Sequence, residues 1–131
     1  MIVDSSAIVA LLKREAQWDE VAQALETSQE RSISAGTYLE VGIVVDSWKD
    51  PLLSSSLDEL LERFQIVVEP VTAEQTHIAR QAYRDYGKGS GHPARLNFGD
   101  CFSYALARVK REAILFKGTD FQLTDLHSAL A

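Results

Sequence analysis

The order of the sequence predicts an α/β protein, a three-layer α/β/α sandwich around a short parallel sheet. Short β-prone runs alternate with helical apolar patterns from one end of the chain to the other. Such alternation marks βαβ units, hence parallel strands with helices on both faces. One run, Ile66-Val67-Val68, is apolar without interruption and closed by Glu69-Pro70, as expected of a buried parallel strand.

Each element can be justified in order. Ile2-Val3 is the first strand; it runs into Asp4-Ser5-Ser6 and then into a helix carrying Ala7 to Leu12. Ser5 or Ser6 is the expected N-cap, which leaves Asp4 at the carboxyl end of a strand with no obvious structural duty. Trp18, Val21, Ala22 and Leu25 have helical spacing, and Arg31 to Ser34 reads as a second strand. Gly36-Thr37 opens a helix in which Leu39, Val41, Ile43, Val44, Val45 and Trp48 occupy most of the circumference, so it is expected to be well buried. Asp50-Pro51 breaks that helix. Leu53, Leu57, Leu60, Leu61 and Phe64 then form a stripe at i, i+4, i+7, i+8 and i+11. After the third strand, Ala73 to Tyr86 is helical, and Gly87 to Pro93 reads as a flexible Gly-rich connector. Asn97 to Arg111 is the next helix, with Asn97 as its N-cap. Ala113 to Phe116 is a further strand, followed by loop with at most one helical turn.

The 131 residues suit one domain spanning 1–131, large enough to bury roughly two-thirds of its unfolded surface without staples. The single cysteine, Cys101, allows no internal disulfide and points to a reducing, cytoplasmic compartment. The opening Met1-Ile2-Val3-Asp4 has no basic n-region and apolar h-region, so no signal peptide is expected. The longest apolar stretch, near Val41 to Val45, is too short to span a bilayer. The net charge of −6 argues against a general nucleic-acid binder, which is usually basic. A metal-dependent nuclease is the exception, because its cations supply the local positive charge.

Four acids, Asp4, Glu40, Asp100 and Asp120, lie where elements begin or end. Singly, each has a plain structural explanation: an Asx turn, a rim glutamate, a first-turn dipole partner and a loop aspartate. Jointly they suggest convergence, since ligands of such sheets bind beyond the carboxyl ends of the strands. Hard cations such as Mg²⁺ and Mn²⁺ take oxygen ligands. Convergence would let Asp4 and Asp100 serve as the principal metal ligands, with Glu40 and Asp120 completing the shell or orienting the attacking water. A metal-activated water would then hydrolyse a phosphodiester in line.

The stretches Met1-Ile2-Val3-Asp4-Ser5-Ser6-Ala7-Ile8-Val9-Ala10, Ser34-Ala35-Gly36-Thr37-Tyr38-Leu39-Glu40, Leu96-Asn97-Phe98-Gly99-Asp100-Cys101-Phe102-Ser103-Tyr104-Ala105 and Leu115-Phe116-Lys117-Gly118-Thr119-Asp120-Phe121 resemble PIN-domain proteins, specifically the ribonuclease toxins of VapBC-type toxin–antitoxin systems. The resemblance covers essentially the whole length. It implies a PIN-like sandwich and an Mg²⁺-dependent (Mn²⁺ possible) endoribonuclease acting on RNA, with Asp4, Glu40, Asp100 and Asp120 as the acidic quartet. It also implies supporting roles for Ser6 and Asn97, a homodimer and a cognate antitoxin. Many members carry Thr or Ser where this chain has Lys117-Gly118, so Asp125 competes with Asp120 for the fourth position.

Arg80, Arg84, Lys88, His92 and Arg95 form a basic run beside the Gly-rich segment. Arg80, Arg84, Lys88 and Arg95 are candidates for RNA phosphate contacts, which position without reading sequence; a solvated helix face is the simpler account. The Gly-rich segment lacks the phosphate-loop spacing, and the three histidines have no zinc spacing with one another or with Cys101. Two alternatives are a receiver-like signalling domain, for which Lys117 fits but Glu69-Pro70 replaces the acceptor aspartate, and a catalytically silent dimerisation module.

Overall fold

The computed structural model describes residues 1–130. In chain order the elements are β1 (Ile2–Val3), α1 (Ser5–Leu12), α2 (Trp18–Thr27), β2 (Arg31–Ser34), α3 (Ala35–Ser47), α4 (Pro51–Arg63), β3 (Ile66–Glu69), α5 (Ala73–Tyr86), α6 (Asp100–Lys110) and β4 (Ile114–Leu115). The four strands form one sheet in the order β3-β2-β1-β4. All pairings are parallel, with Ile2 opposite both Ser32 and Ile114, and Ser34 opposite Glu69. The chain steps outward from β1 to β2 to β3, then crosses back through α5 and α6 to lay β4 on the other side of β1. The carboxyl end of β1 is therefore the topological switch point, where open α/β sheets bind ligands.

Strand alternation divides the core into two layers. Val3, Ile33, Ile66 and Leu115 face α1 to α4 and pack with Ala7, Ile8, Val21, Leu25, Val41, Val45, Leu57 and Leu61. Ile2, Ile114 and Phe116 face α5 and α6, among Ala82, Leu96, Tyr104, Leu106 and Phe121. Each fully buried aliphatic side chain contributes about 1.5–3 kcal/mol. This double-sided burial holds a sheet whose central strand is only two residues long.

The structure departs from the sequence reading at five places. Asp4 itself, rather than Ser5 or Ser6, is the N-cap of α1, its carboxylate accepting from the Ser6 amide. In α3 only Thr37, Val41 and Val45 are buried; Leu39 and Ile43 are 63% and 62% exposed, because the helix packs on β2, α1 and α4 along one side alone. β3 is an edge strand with one neighbour, so Val67 and Val68 are exposed rather than buried. The helix expected from Asn97 begins at Asp100, after a turn at Phe98-Gly99. The Gly-rich segment is a closed loop, its neck fastened by Lys88 N–H to the Leu96 carbonyl and Leu96 N–H to the Tyr86 carbonyl, both 2.9 Å. Beyond β4 the chain returns along that strand, with the Ile114 amide donating to the His127 carbonyl at 2.9 Å.

Candidate active site

Asp4 leaves β1 at the switch point and is almost completely buried. Its Oδ1 accepts from Ser103 Oγ at 2.6 Å. Its Oδ2 accepts from the Ser6 hydroxyl at 2.8 Å and the Ser6 amide at 3.1 Å. The Ser103 hydroxyl donates to Asp4, so at 3.1 Å from Thr37 Oγ1 it is the acceptor, and the bonds run Thr37 to Ser103 to Asp4. Thr37 lies one turn before Glu40 on α3, and Ser103 one turn after Asp100 on α6. Two hydroxyl-bearing residues, Ser103 and through it Thr37, thus fasten Asp4 to the helices that carry two more acids. Ser6 Oγ also accepts from the Lys117 amide at 3.0 Å, fixing the start of the segment that leads to Asp120.

Asp100 opens α6. Its Oδ2 accepts from the Asn97 amide at 3.0 Å while Asn97 Oδ1 accepts from the Asp100 amide at 3.0 Å. The exchange has the logic of a capping box, satisfying two orphan donors at a helix start. Glu40 is half-buried, and its carboxylate lies against the backbone of Gly99, where any Cβ would overlap it. The glycine is the condition for the close approach of Glu40 to the start of α6. Asp120 is exposed in the turn after β4, yet its charge acts on Asp100. Asp125 is occupied elsewhere: it accepts from Tyr104 OH at 2.7 Å and pairs with Arg108.

The electrostatics report the crowding. Burial raises the Asp4 pKa, against the opposing hydrogen bonds from Ser103 and Ser6. Burial and then the Asp4 charge raise Glu40. Asp100 is pushed up to about 7, first by burial and then by the charges of Asp4, Asp120 and Glu40, while the Asn97 backbone bond opposes the rise. None of the ion pairs among the described residues includes any of the four acids. Carboxylates that repel one another, with no cationic side chain between them, suit a hard divalent cation. Among the described residues, no three His, Cys, Asp or Glu side chains group into a ready cage.

The structure gathers the acids but not the basic run. Arg80, Arg84, Lys88 and Arg95 are exposed, and no cation is among the causes that shift the site carboxylates. His92 is spent locally, its Nδ1 accepting from the Ala94 amide at 3.0 Å and its ring set edge-on to Tyr86. Lys117 Nζ turns to Glu15 at 3.4 Å. Cys101 is buried and its thiol pushed up to about 11, chiefly by burial, so it stays protonated and inert. Sequence reasoning missed Thr37, Ser103 and Gly99. Helical spacing offered the signal for the first two: one turn from Glu40 and from Asp100 lies the face that those acids share.

The profile of the PIN domain family matches residues 1–126. The chain is a PIN-domain protein of the VapC group. Ribonuclease VapC28 of Mycobacterium tuberculosis is 55% identical over 130 residues, 99% of this chain and 98% of the relative. Ribonuclease VapC of Mycolicibacterium smegmatis is 44% identical over 126 residues, covering 96% of this chain and 97% of its own. Among solved structures, Mycobacterium tuberculosis VapC20, described as a sarcin-ricin loop cleaving toxin, superposes with a TM-score of 0.75 at 19% identity over 95% of each chain. A toxin–antitoxin complex from Klebsiella pneumoniae gives 0.66 at 17% identity, over 90% of this chain and 86% of that one. At such low identity these two likenesses carry the PIN fold, including the three-layer arrangement, and nothing finer.

Proposed function

We propose that this PIN domain, acting as one unit over residues 1–131, is the endoribonuclease toxin of a type II toxin–antitoxin pair and hydrolyses RNA phosphodiesters in the cytoplasm with Mg²⁺ or Mn²⁺. The observation that carries the reading is that the charge of buried Asp4, at the carboxyl end of β1, reaches both Glu40 and Asp100. These acids sit at the switch point; burial raises the pKa of all three, the Asp4 charge raises Glu40 and Asp100 further, and no basic side chain neutralises them. Asp4 and Asp100 would hold the cation with water, and the bound ion supplies Lewis-acid stabilisation of phosphoryl charge.

The protein's own residues do the rest. Ser6, Ser103 and Thr37 hold Asp4 in one orientation, and Asn97 holds Asp100. Glu40, with its affinity for protons raised, is suited to accept the proton of the attacking water. Asp120, on the exposed side, orients that water. Asp120 is favoured over Asp125 as the fourth acid, because Asp125 is engaged by Tyr104 and Arg108.

The close relation to VapC ribonucleases, toxins of VapBC-type pairs, supports a cognate antitoxin for this chain. A cleft of about 460 Å³ between α1, α2 and α4, lined by Leu11, Leu12, Trp18, Ala22, Leu60 and Phe64, suits an amphipathic helix of such a partner. The uncovered Leu39 and Ile43 on α3 suit the homodimer. Arg80, Arg84, Lys88 and Arg95 remain free to meet RNA phosphates.

Asp100→Asn tests the core of the proposal. Its circular dichroism should match the wild type, while RNA cleavage in Mg²⁺ falls at least about a hundredfold, consistent with the several kcal/mol that metal stabilisation provides. EDTA should silence the wild type. Full cleavage by Asp100→Asn would remove Asp100 from the mechanism.

A further inference from the structure

We propose that Phe98 is a stacking platform for an unpaired base of the RNA next to the bond that is cut. The inference rests on the ribonuclease reading and deepens it. Phe98 is 77% exposed, one of the two most exposed large apolar side chains among the described residues. It stands two residues before Asp100, in the turn that opens α6. That turn is held on every side. The Asn97–Asp100 exchange brackets it, and the Glu40 carboxylate rests on Gly99. The Phe102 ring meets Phe98 at 5.2 Å between centroids and 84° between planes, and itself lies over Gly36 at the start of α3. Phe98 is thus displayed on a fastened turn two residues from Asp100, with the edge-to-face contact to Phe102 beneath it.

The chemistry gives such a ring a task. A chain of net charge −6 offers the phosphate backbone little attraction away from its cation and its few exposed basic side chains. Base stacking on an aromatic face adds affinity without charge, and every base has a π-face to offer. A base inside a duplex keeps its faces stacked on its neighbours, whereas bases in loops and single strands can be splayed out onto aromatic rings.

The test uses the full chain with Mg²⁺ and a short random-sequence pool of single-stranded RNA in which 2-aminopurine replaces adenine. Phe98→Trp should cleave the pool as the wild type does and quench 2-aminopurine. Phe98→Leu keeps the apolar bulk but loses the π-face; it should fold normally, leave kcat nearly unchanged, raise KM roughly tenfold and quench little. Equal KM for Phe98→Leu and wild type would overturn the proposal. So would an altered sedimentation mass accompanying the loss, which would reassign Phe98 to a contact between copies. A wild type that cleaves no RNA with Mg²⁺ or Mn²⁺ sinks the ribonuclease reading and this one with it; normal cleavage by every Phe98 variant sinks this one alone.

Discussion

At the scale of the residue, Asp4 does two jobs that seemed alternatives. It caps α1 and it lies at the centre of the acid cluster, because a carboxylate has lone pairs for both. What holds it there is Ser103. Ser103→Ala removes a 2.6 Å bond to a buried carboxylate, a loss of about 1.5–3 kcal/mol for a bond to a charged group. It should lower the melting temperature and move the acid limb of the pH–rate profile upward, since that bond restrains the rise of the Asp4 pKa. An unmoved limb would show that Ser103 does not govern Asp4.

Asp100 makes a second residue-level prediction. Its folded pKa, about 7, lies above the 3.8 of an ordinary aspartate. Between those values the folded state retains a proton that the unfolded chain has released, so stability falls as pH rises from about 4 to about 7 and levels off above. In EDTA near pH 8, Asp100→Asn should melt about 3–8 °C above the wild type, a gap that closes near pH 4. Adding Mg²⁺ near pH 8 should raise the wild-type melting temperature and leave that of Asp100→Asn unchanged. A wild type that melts higher without metal would contradict the repulsion argument.

At the scale of the element, α3 and α6 are locked together through one missing side chain. Gly99→Ala would set a Cβ into the Glu40 carboxylate. The backbone there is ordinary right-handed helix, so the cost falls on Glu40 and not on the turn. Cleavage should drop about tenfold or more while the melting temperature changes by little, as expected when a catalytic group is displaced by an ångström. Undiminished cleavage would mean that Glu40 can work from another position. Most elements were legible because their apolar spacing is regular. Asp50, read only as a breaker with Pro51, and Thr72, not singled out, prove to be the caps of α4 and α5. The errors have a common origin. Apolar residues on α3 and β3 say that a surface avoids water, but not whether a neighbour is present to cover it.

At the scale of the molecule, the sheet order makes the site. Strand and helix alternation predicted a parallel sheet, but only the folded chain lays β4 beside β1 and turns the end of β1 into a crevice. The basic run shows the opposite outcome. Sequence places it near Asp100, yet none of its side chains pairs with the acids: Arg80 and Arg84 stand exposed on α5, and Lys88 and Arg95 on the closed loop from Gly87 to Leu96.

The sequence by itself determined the α/β class and the limits of most elements and singled out Asp4, Glu40 and Asp100 as candidate acids, since local periodicity and residue chemistry are written along the chain. Tertiary structure alone decided that Thr37 and Ser103 fasten Asp4, that Gly99 admits Glu40, and that Asp120 rather than Asp125 bears on Asp100. It also decided which apolar faces stay open. Those outcomes depend on distances between segments far apart in the chain, which side-chain packing sets and local pattern does not encode.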